Sequence, residues 1–297
     1  MTVDLIVNPA SGPTLRRLPR HERVHVVSRL LRTLGATTIR ATETTGSGDG
    51  ARAVRTALDA GSDRVVVWGG DGTLNEVAGQ MLGTGVPLGV VPGGSGNGLA
   101  RGLGLPLVIE EAVRVAMLGT PRNIDTGTVG GQPFLNLAGV GLDAAVAERF
   151  NTDNLRRGLV PYVTSIFQEW QTFEVQRFRI RLDTAAPIDL EAHLVVVCNG
   201  PQYGHGARVA PDAAFDDGLF DVVAVPQVTA ARVLWHGWRL FAGTLPQVPG
   251  VYTARAARVE LSQSRPTPVH LDGEVLEPAH SRTFAIRPGS LRVMTPG

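Results

Sequence analysis

The sequence contains no lysine: all 28 of its basic residues are arginine. A chain without lysine cannot build a Walker-A phosphate loop, the strand lysine of a protein kinase or a Schiff base. It has one cysteine, Cys198, which excludes a disulfide framework and a cysteine-based zinc site. Preceded by Val195-Val196-Val197, that cysteine reads as a core thiol. The seven histidines show no metal-ligand spacing. No run of about 18 apolar residues occurs, so no segment is expected to span a bilayer. Met1-Thr2-Val3-Asp4 lacks a basic stretch followed by an apolar run and is not read as a signal peptide. The expected place is therefore the cytoplasm. An excess of either charge is missing too. The 28 basic and 27 acidic residues leave a net charge of +1, which makes no electrostatic case for a nucleic-acid partner.

What the chain does have is apolar content. With 297 residues, 43% apolar and 19% charged, it can bury a core as one large domain or two ordinary ones. The first 120 residues alternate strand and helix signals. Strands are predicted at Val3–Val7, Arg64–Trp68 and Leu88–Val91. Helices are predicted at His21–Leu34, Asp49–Ala60, Thr73–Leu82 and Val108–Leu118. This order predicts βαβ units and a parallel sheet. The texture changes near Asn123. Arg122–Val129 and Pro133–Val140 flank Gly130-Gly131 as a β-hairpin, and helices follow at Leu142–Phe150 and Pro161–Phe173. Strand-like segments then dominate: Val175–Leu182, Ile188–Cys198, Leu219–Val225, Ala254–Leu261, Val269–Leu271 and Thr283–Ile286. One helix interrupts them, near Thr229–Phe241. The expectation is an α/β nucleotide-binding domain over residues 1–124 and an antiparallel β-sandwich domain over 125–297, with a tail at 288–297 that returns to the first.

The strongest local signal is Val65-Val66-Val67-Trp68-Gly69-Gly70-Asp71-Gly72-Thr73-Leu74-Asn75. A strand runs into a glycine loop and then a helix. Glycines let a backbone approach a phosphate, and a helix N-terminus presents N–H groups and positive dipole. Asp71 in that loop suits a magnesium ion on a nucleotide or a proton-accepting role; the alternative is a tight turn with Asp71 as helix N-cap. A second loop, Pro92-Gly93-Gly94-Ser95-Gly96-Asn97-Gly98, follows the next strand and repeats the design. Loops at the C-terminal ends of parallel strands line a ligand crevice. Neither loop matches G-x-G-x-x-G, and G-K-[ST] cannot occur.

These residues carry a resemblance. Gly69-Gly70-Asp71-Gly72-Thr73 resembles the G-G-D-G-T signature of diacylglycerol and sphingosine lipid kinases, NAD kinases and, more distantly, phosphofructokinases. Val7-Asn8-Pro9-Ala10-Ser11-Gly12, the 92–97 loop, Asn199-Gly200 through Tyr203-Gly204, Ala210-Pro211-Asp212, Asp217-Gly218-Leu219 and Leu271-Asp272-Gly273-Glu274 are similar to further motifs of the lipid-kinase branch, in order. Gly98 stands where the bacterial diacylglycerol kinases commonly have Asp, and the sphingosine branch also has a small residue there. The resemblance implies an NAD kinase-like α/β domain, a β-sandwich lipid-substrate domain and an active cleft between them. It implies that Asn8, Thr44, Gly69, Gly70, Asp71, Gly72, Thr73, Leu74, Asn75 and Ser95 contact ATP, with magnesium. It makes Glu274 the general base, with Asp71 close by. It maps a structural magnesium ion to Asp217 and the carbonyls of Ala214 and Leu219.

Residue by residue, other readings stay open. Asp272-Gly273 also reads as a two-residue hairpin turn. Asp212, Asp216, Asp217 and Asp221 also read as a solvated acidic loop. Asp143 either faces the cleft or caps a helix. Leu234, Trp235, Trp238 and Phe241 share one face, which either packs on a sheet or meets a membrane. Arg16, Arg17, Arg20 and Arg23 either lie on a solvated face or meet anionic headgroups. The expected activity is transfer of phosphate from ATP to a hydroxyl of a diacylglycerol-like or sphingoid-like lipid, by an enzyme peripheral to the inner face of the membrane. A soluble NAD kinase-like enzyme and an inactive nucleotide- or lipid-binding module are the rivals. The assembly is left open, a homodimer included.

Overall fold

The computed structural model describes residues 1–11, 19–152, 173–229, 232 and 235–297. The chain forms two compact units, Met1–Ile124 with Gly289–Gly297, and Asp125–Pro288.

In the first unit β1 (Thr2–Val7), α1 (Arg20–Thr33), β2 (Thr38–Glu43), α2 (Asp49–Asp59), β3 (Arg64–Gly69), α3 (Asp71–Met81), β4 (Leu88–Pro92), a short α4 (Gly98–Gly102) and α5 (Ile109–Leu118) follow in turn. The pairings among β1, β2, β3 and β4 are all parallel. β1 lies between β2 and β3, and β3 pairs β4. The C-terminal strand joins through Val293 opposite Leu88. Buried Val3, Leu5, Val66, Trp68 and Val91 meet Val27 and Leu31 of α1 and Val113 and Ala116 of α5 in one core. The tight spot is Gly89, where a Cβ would stand 2.6 Å from that of Ala116. Helices α2 and α3 turn Val54, Ala57, Leu74, Val77 and Met81 inward. Strand β2 has no counterpart in the predicted elements. Its sequence, Thr-Ile-Arg-Ala-Thr-Glu, is exposed or half-buried throughout and pairs on one side only, so it carries no apolar signal.

The second unit is antiparallel. β5 (Thr120–Val129) and β6 (Gln132–Phe134) form the expected hairpin, with Val129 opposite Gln132. The strand predicted to continue to Val140 breaks at Leu135-Asn136. Beyond the break β7 (Leu137–Gly141) pairs elsewhere. Then come α6 (Leu142–Thr152), β8 (Gln176–Leu182), β9 (Ile188–Cys198), β10 (Phe220–Pro226), α7 (Trp238–Ala242), β11 (Tyr252–Ala256), β12 (Arg258–Leu271) and β13 (Glu274–Thr295). β7 and β8 lie end to end between β9 and β12, and β10 and β11 extend the sheet past β9.

Ala254–Leu261 is therefore two strands, not one. At Ala257 the chain leaves β10 for β8 and β13, and the Asp183 carboxylate accepts the N–H groups of Ala257 (3.1 Å) and Arg258 (2.8 Å) at the corner. The alternation of side chains shifts phase at the corner: Ala256 and Val259, three residues apart, both turn inward. Phe134 stacks on Phe220 at 5.6 Å, and Gly127 leaves room for its ring, since a Cβ there would lie 2.1 Å from it. The Pro161–Phe173 helix lies almost wholly outside the described residues. Of the Thr229–Phe241 helix, the described part is interrupted by a turn at Gly237.

Cys198 is fully buried in β9, and burial pushes its thiol well above the ordinary range, with Asp221 and Asp143 adding to the effect. In native protein it should react negligibly with a thiol reagent such as DTNB. One equivalent should react after unfolding in urea, with the reaction followed by absorbance; rapid native labelling would contradict the burial.

Candidate functional site

In the first unit the strand order reverses at β1: β2 lies on one side, β3 and β4 on the other. In open parallel sheets ligands bind outside the carboxyl ends of the strands at such a point. The loops that follow the four strands are tied together there. After β1, the Asn8 Nδ2 donates to Thr73 Oγ1 (2.6 Å), while Asn8 Oδ1 accepts from the Ala10 N–H (2.9 Å). Buried Ser11 accepts the Gly70 N–H on its hydroxyl (3.1 Å). After β2, the Thr44 N–H reaches the Val7 carbonyl (2.8 Å). The Asp49 carboxylate then accepts from the Thr45 hydroxyl, the Thr45 N–H and the Gly46 N–H. These bonds, with Arg52 adding a smaller effect, hold its pKa below the usual range.

The two glycine loops lie backbone against backbone. The Gly93 N–H donates to the Gly69 carbonyl (2.7 Å). A Cβ on Gly94 would stand 2.8 Å from the Gly70 Cα, which only glycine permits. Asn97, at φ +50°, folds the second loop by accepting the Gly94 N–H (2.9 Å) and donating to its carbonyl (3.0 Å). Asp71 Oδ1 accepts the Gly98 N–H (2.9 Å). The N-cap of α3 is Gly70, and Asp71 is the first helical residue. The capping alternative therefore fails: the carboxylate locks the second loop. Gly72 is exposed and Ser95 half-buried at the mouth, Asn75 is half-buried, and Leu74 is buried in the core side of α3. Glu76, absent from the predicted set, binds the Gly48 N–H (2.9 Å) and the Gly50 N–H (3.0 Å). It sits beside apolar Val77, and no spacing rule marks it. Arg23 is buried and donates to the Pro9 carbonyl (2.5 Å), so it is neither a solvated nor a headgroup-facing residue. Arg16 and Arg17, and the side chain of Arg20, lie outside what the structure describes.

In the second unit Glu274 opens β13, opposite Leu271. Between them Asp272 (φ +51°) and Gly273 (φ +95°) form the two-residue hairpin turn with both φ values positive. So the turn reading and an exposed Glu274 hold together. The turn is anchored from inside. Asp272 accepts three backbone N–H groups, from Leu135 (2.6 Å), Asn136 (3.0 Å) and Leu137 (2.9 Å), at the place where the β6–β7 chain breaks. Burial raises its pKa, and these bonds pull against that. The Gly273 N–H points at His270 Nδ1 (3.2 Å), and His270 Nε2 lies 2.7 Å from Asp143 Oδ2. Tyr203 donates to the same oxygen (2.5 Å). Burial works against the imidazolium of His270, but the Asp143 charge and hydrogen bond outweigh it and raise the pKa. Asp143 is thus not a helix cap. Sequence reasoning set His270 aside because no spacing links it to a residue 127 positions away.

The residues mapped to a structural magnesium ion are differently engaged. Asp217 pairs with the Arg255 guanidinium and accepts the Leu219 N–H (3.0 Å), and Arg255 Nε lies 3.7 Å from Asp221 Oδ2. Among the described residues no group of three or more His, Cys, Asp or Glu side chains could hold a metal. Asp217, with the carbonyls of Ala214 and Leu219, does not fit a divalent cation unless Arg255 moves away.

The first unit is thus an α/β fold with a glycine-loop site at its switch point, carried in one chain with an antiparallel β unit: the class of two-domain proteins that join a nucleotide-type α/β domain to a β-sandwich. Two family models match, the diacylglycerol kinase catalytic domain over residues 2–129 and the YegS C-terminal NAD kinase beta sandwich-like domain over residues 136–295. The chain belongs to the diacylglycerol kinase-like lipid kinase family. A probable lipid kinase YegS-like protein of Chromohalobacter salexigens is 34% identical over 84% of this chain and 81% of its own length. A diacylglycerol kinase of Mycobacterium tuberculosis is 29% identical over 81% and 79%. A crystal structure of a diacylglycerol kinase from Bacillus anthracis superposes with a TM-score of 0.76 at 20% identity, covering 99% of this chain and 96% of that one. An NAD kinase from Archaeoglobus fulgidus, solved with ATP, shares the fold at a TM-score of 0.55 and 12% identity, over 99% and 93%.

Two predictions follow from the second unit. Removing the Tyr203 hydroxyl (Tyr203→Phe) deletes one bond to a buried carboxylate and should cost about 1.5–3 kcal/mol in urea unfolding. Gly139→Ala should cost more, because its Cβ would fall 1.9 Å from Asp143 Oδ2 and 2.4 Å from His270 Nε2; equal or smaller loss would mean the pair is not confined there. Second, the melting temperature of the wild type should not change between EDTA and millimolar magnesium. Arg255→Met should lower it and make magnesium stabilising, since the two carboxylates then lack their cation. A wild type stabilised by magnesium would restore the metal to Asp217.

Proposed function

We propose that this chain transfers the γ-phosphoryl group of ATP to a hydroxyl of a diacylglycerol-like or sphingoid-like lipid. One observation carries the nucleotide half of this reading: α3 begins at the switch point on loops whose Gly70 and Gly94 backbones touch, with Asp71 fixed to Gly98. Phosphoryl transfer is largely a matter of positioning and charge neutralisation. The N–H groups at the start of α3 and the glycine loop meet the phosphates, Asn8 and Thr73 brace the loop, and Thr44 and Ser95 lie at its borders. Magnesium bound with the triphosphate would neutralise its charge, with Asp71 the carboxylate of this site placed to hold it.

The lipid half rests on family membership and on Glu274. Glu274 accepts the proton of the acceptor hydroxyl as that oxygen bonds to the γ-phosphorus and the bond to ADP breaks. An exposed carboxylate beside an anchored turn suits that role, because the base is accessible while its backbone is fixed.

The test is turnover with labelled ATP and magnesium against diacylglycerol, monoacylglycerol, phosphatidylglycerol, ceramide and sphingosine in mixed micelles, with NAD as a soluble acceptor. Phosphorylation of NAD alone would overturn the lipid reading. Glu274→Gln should lower kcat by about 10²–10⁴ with nucleotide affinity kept, and Gly94→Ala should weaken nucleotide binding instead. A fully active, folded Glu274→Gln protein would remove Glu274 from the mechanism.

A further inference from the structure

The Trp235, Trp238 and Phe241 side chains are 77%, 58% and 42% exposed, and among the described residues they are the only exposed aromatic ones. This removes the reading in which these three pack on the sheet; Leu234, the fourth residue of the expected face, lies outside the described residues. The exposure of Trp238 and Phe241 follows from how α7 is held. Leu240, between them, turns inward onto the cluster of Val209, Val196 and Val223. The Arg208 N–H holds the Leu240 carbonyl (2.8 Å), and the Thr244 N–H holds that of Arg239 (2.8 Å). Gly243 closes α7 at φ +69°. With Leu240 inside, Trp238 and Phe241 point out, and Trp235 stands three residues ahead of Trp238.

The stretch of sequence that carries this face holds charge of one sign. From Val222 to Val259 the sequence has no Asp or Glu. Arg255 in that stretch is taken up by Asp217 and Asp221, and Arg258 pairs with Glu260. Arg232, three residues ahead of Trp235 in the sequence, donates to the Pro249 carbonyl (3.5 Å), and the Arg239 guanidinium lies 5.2 Å from the centroid of the Trp238 ring. A tryptophan with a cation over its face matches the boundary between headgroups and acyl chains, where indole rings sit and anionic lipids attract arginine. A whole-chain charge of +1 supplies no general attraction, so any docking must be local. A single apolar anchor binds a membrane marginally, and stable docking takes a second signal. Here the two signals share one face.

We propose that the face formed by Trp235, Trp238 and Phe241, with Arg232 and Arg239, docks this protein on an anionic lipid bilayer. The choice of a bilayer rests on the lipid acceptor proposed above.

The test is co-sedimentation of the full chain with vesicles of phosphatidylcholine alone and of phosphatidylcholine mixed with phosphatidylglycerol, at low and high salt. Wild type should bind the mixed vesicles and lose binding as salt rises. Trp235→Ser/Trp238→Ser should lower the bound fraction about tenfold, and Arg232→Gln/Arg239→Gln should remove most of the preference for anionic vesicles. Both variants should keep wild-type turnover on a short-chain acceptor dissolved as monomers. Vesicle binding is read without catalysis, so it stands or falls apart from the kinase reading. No binding by wild type, or equal binding by wild type and the tryptophan variant, would overturn the proposal. So would a change from dimer to monomer in the tryptophan variant with vesicle binding intact, which would make the face a contact between copies.

Discussion

Two backbones lie closer together than any side chain allows, and the nucleotide-side architecture follows from it. With a would-be Cβ of Gly94 at 2.8 Å from the Gly70 Cα, the loops after β3 and β4 become one surface. The bond from the Gly93 N–H to the Gly69 carbonyl prolongs the β3–β4 ladder into them. Side chains then lock this surface from three directions: Ser11 from the β1 loop, Asp71 from the start of α3 and Asn97 from within the second loop. Glu76 adds the β2 loop by holding Gly48 and Gly50. The result is a helix N-terminus that is rigid before a ligand arrives, which is what electrostatic preorganisation requires.

The second unit solves a similar problem with side chains. A hairpin turn is ordinarily free to rock. Here Asp272 grips three consecutive N–H groups where β6 gives way to β7, and His270 takes a fourth from Gly273. An imidazole that accepts at Nδ1 carries its proton on Nε2, toward Asp143. Asp143 and Tyr203 thus choose the tautomer of His270, and that tautomer orients the turn next to Glu274. The glycine at position 139 is part of the same device, since it leaves the space that Asp143 and His270 share.

What the sequence made legible was whatever is local. Gly69-Gly70-Asp71-Gly72-Thr73 announces a strand, a turn and a helix in one run, and the parallel α/β fold and the β-rich unit were readable from periodicity and texture. What it hid depends on pairings between distant residues. Strand β2 forms because β1 offers an edge, not because its own residues are apolar. The corner at Ala257 is set by Asp183, and the environment of Asp143 by His270. The capping alternative for Asp71 arose because caps are local, whereas its partner, the N–H of Gly98, belongs to another loop. The aromatic stripe was visible, but which way it faces was decided by Leu240.

The absence of lysine gains a physical meaning in the structure. Around the nucleotide-side site, arginines are spent on carbonyl oxygens: Arg23 on Pro9 and Arg101 Nε on Gly96 at 3.1 Å. Farther off, Arg64 reaches the carbonyls of Ala116 and Met117 at the end of α5. A planar guanidinium can donate several bonds in a fixed fork, which an ammonium cannot do with the same geometry. Arg255 extends the pattern by standing between Asp217 and Asp221. These four arginines act as fixed braces for loops and carboxylates. In the proposed reading the phosphates fall to backbone N–H groups and helix dipole, which attract an anion without a cationic side chain.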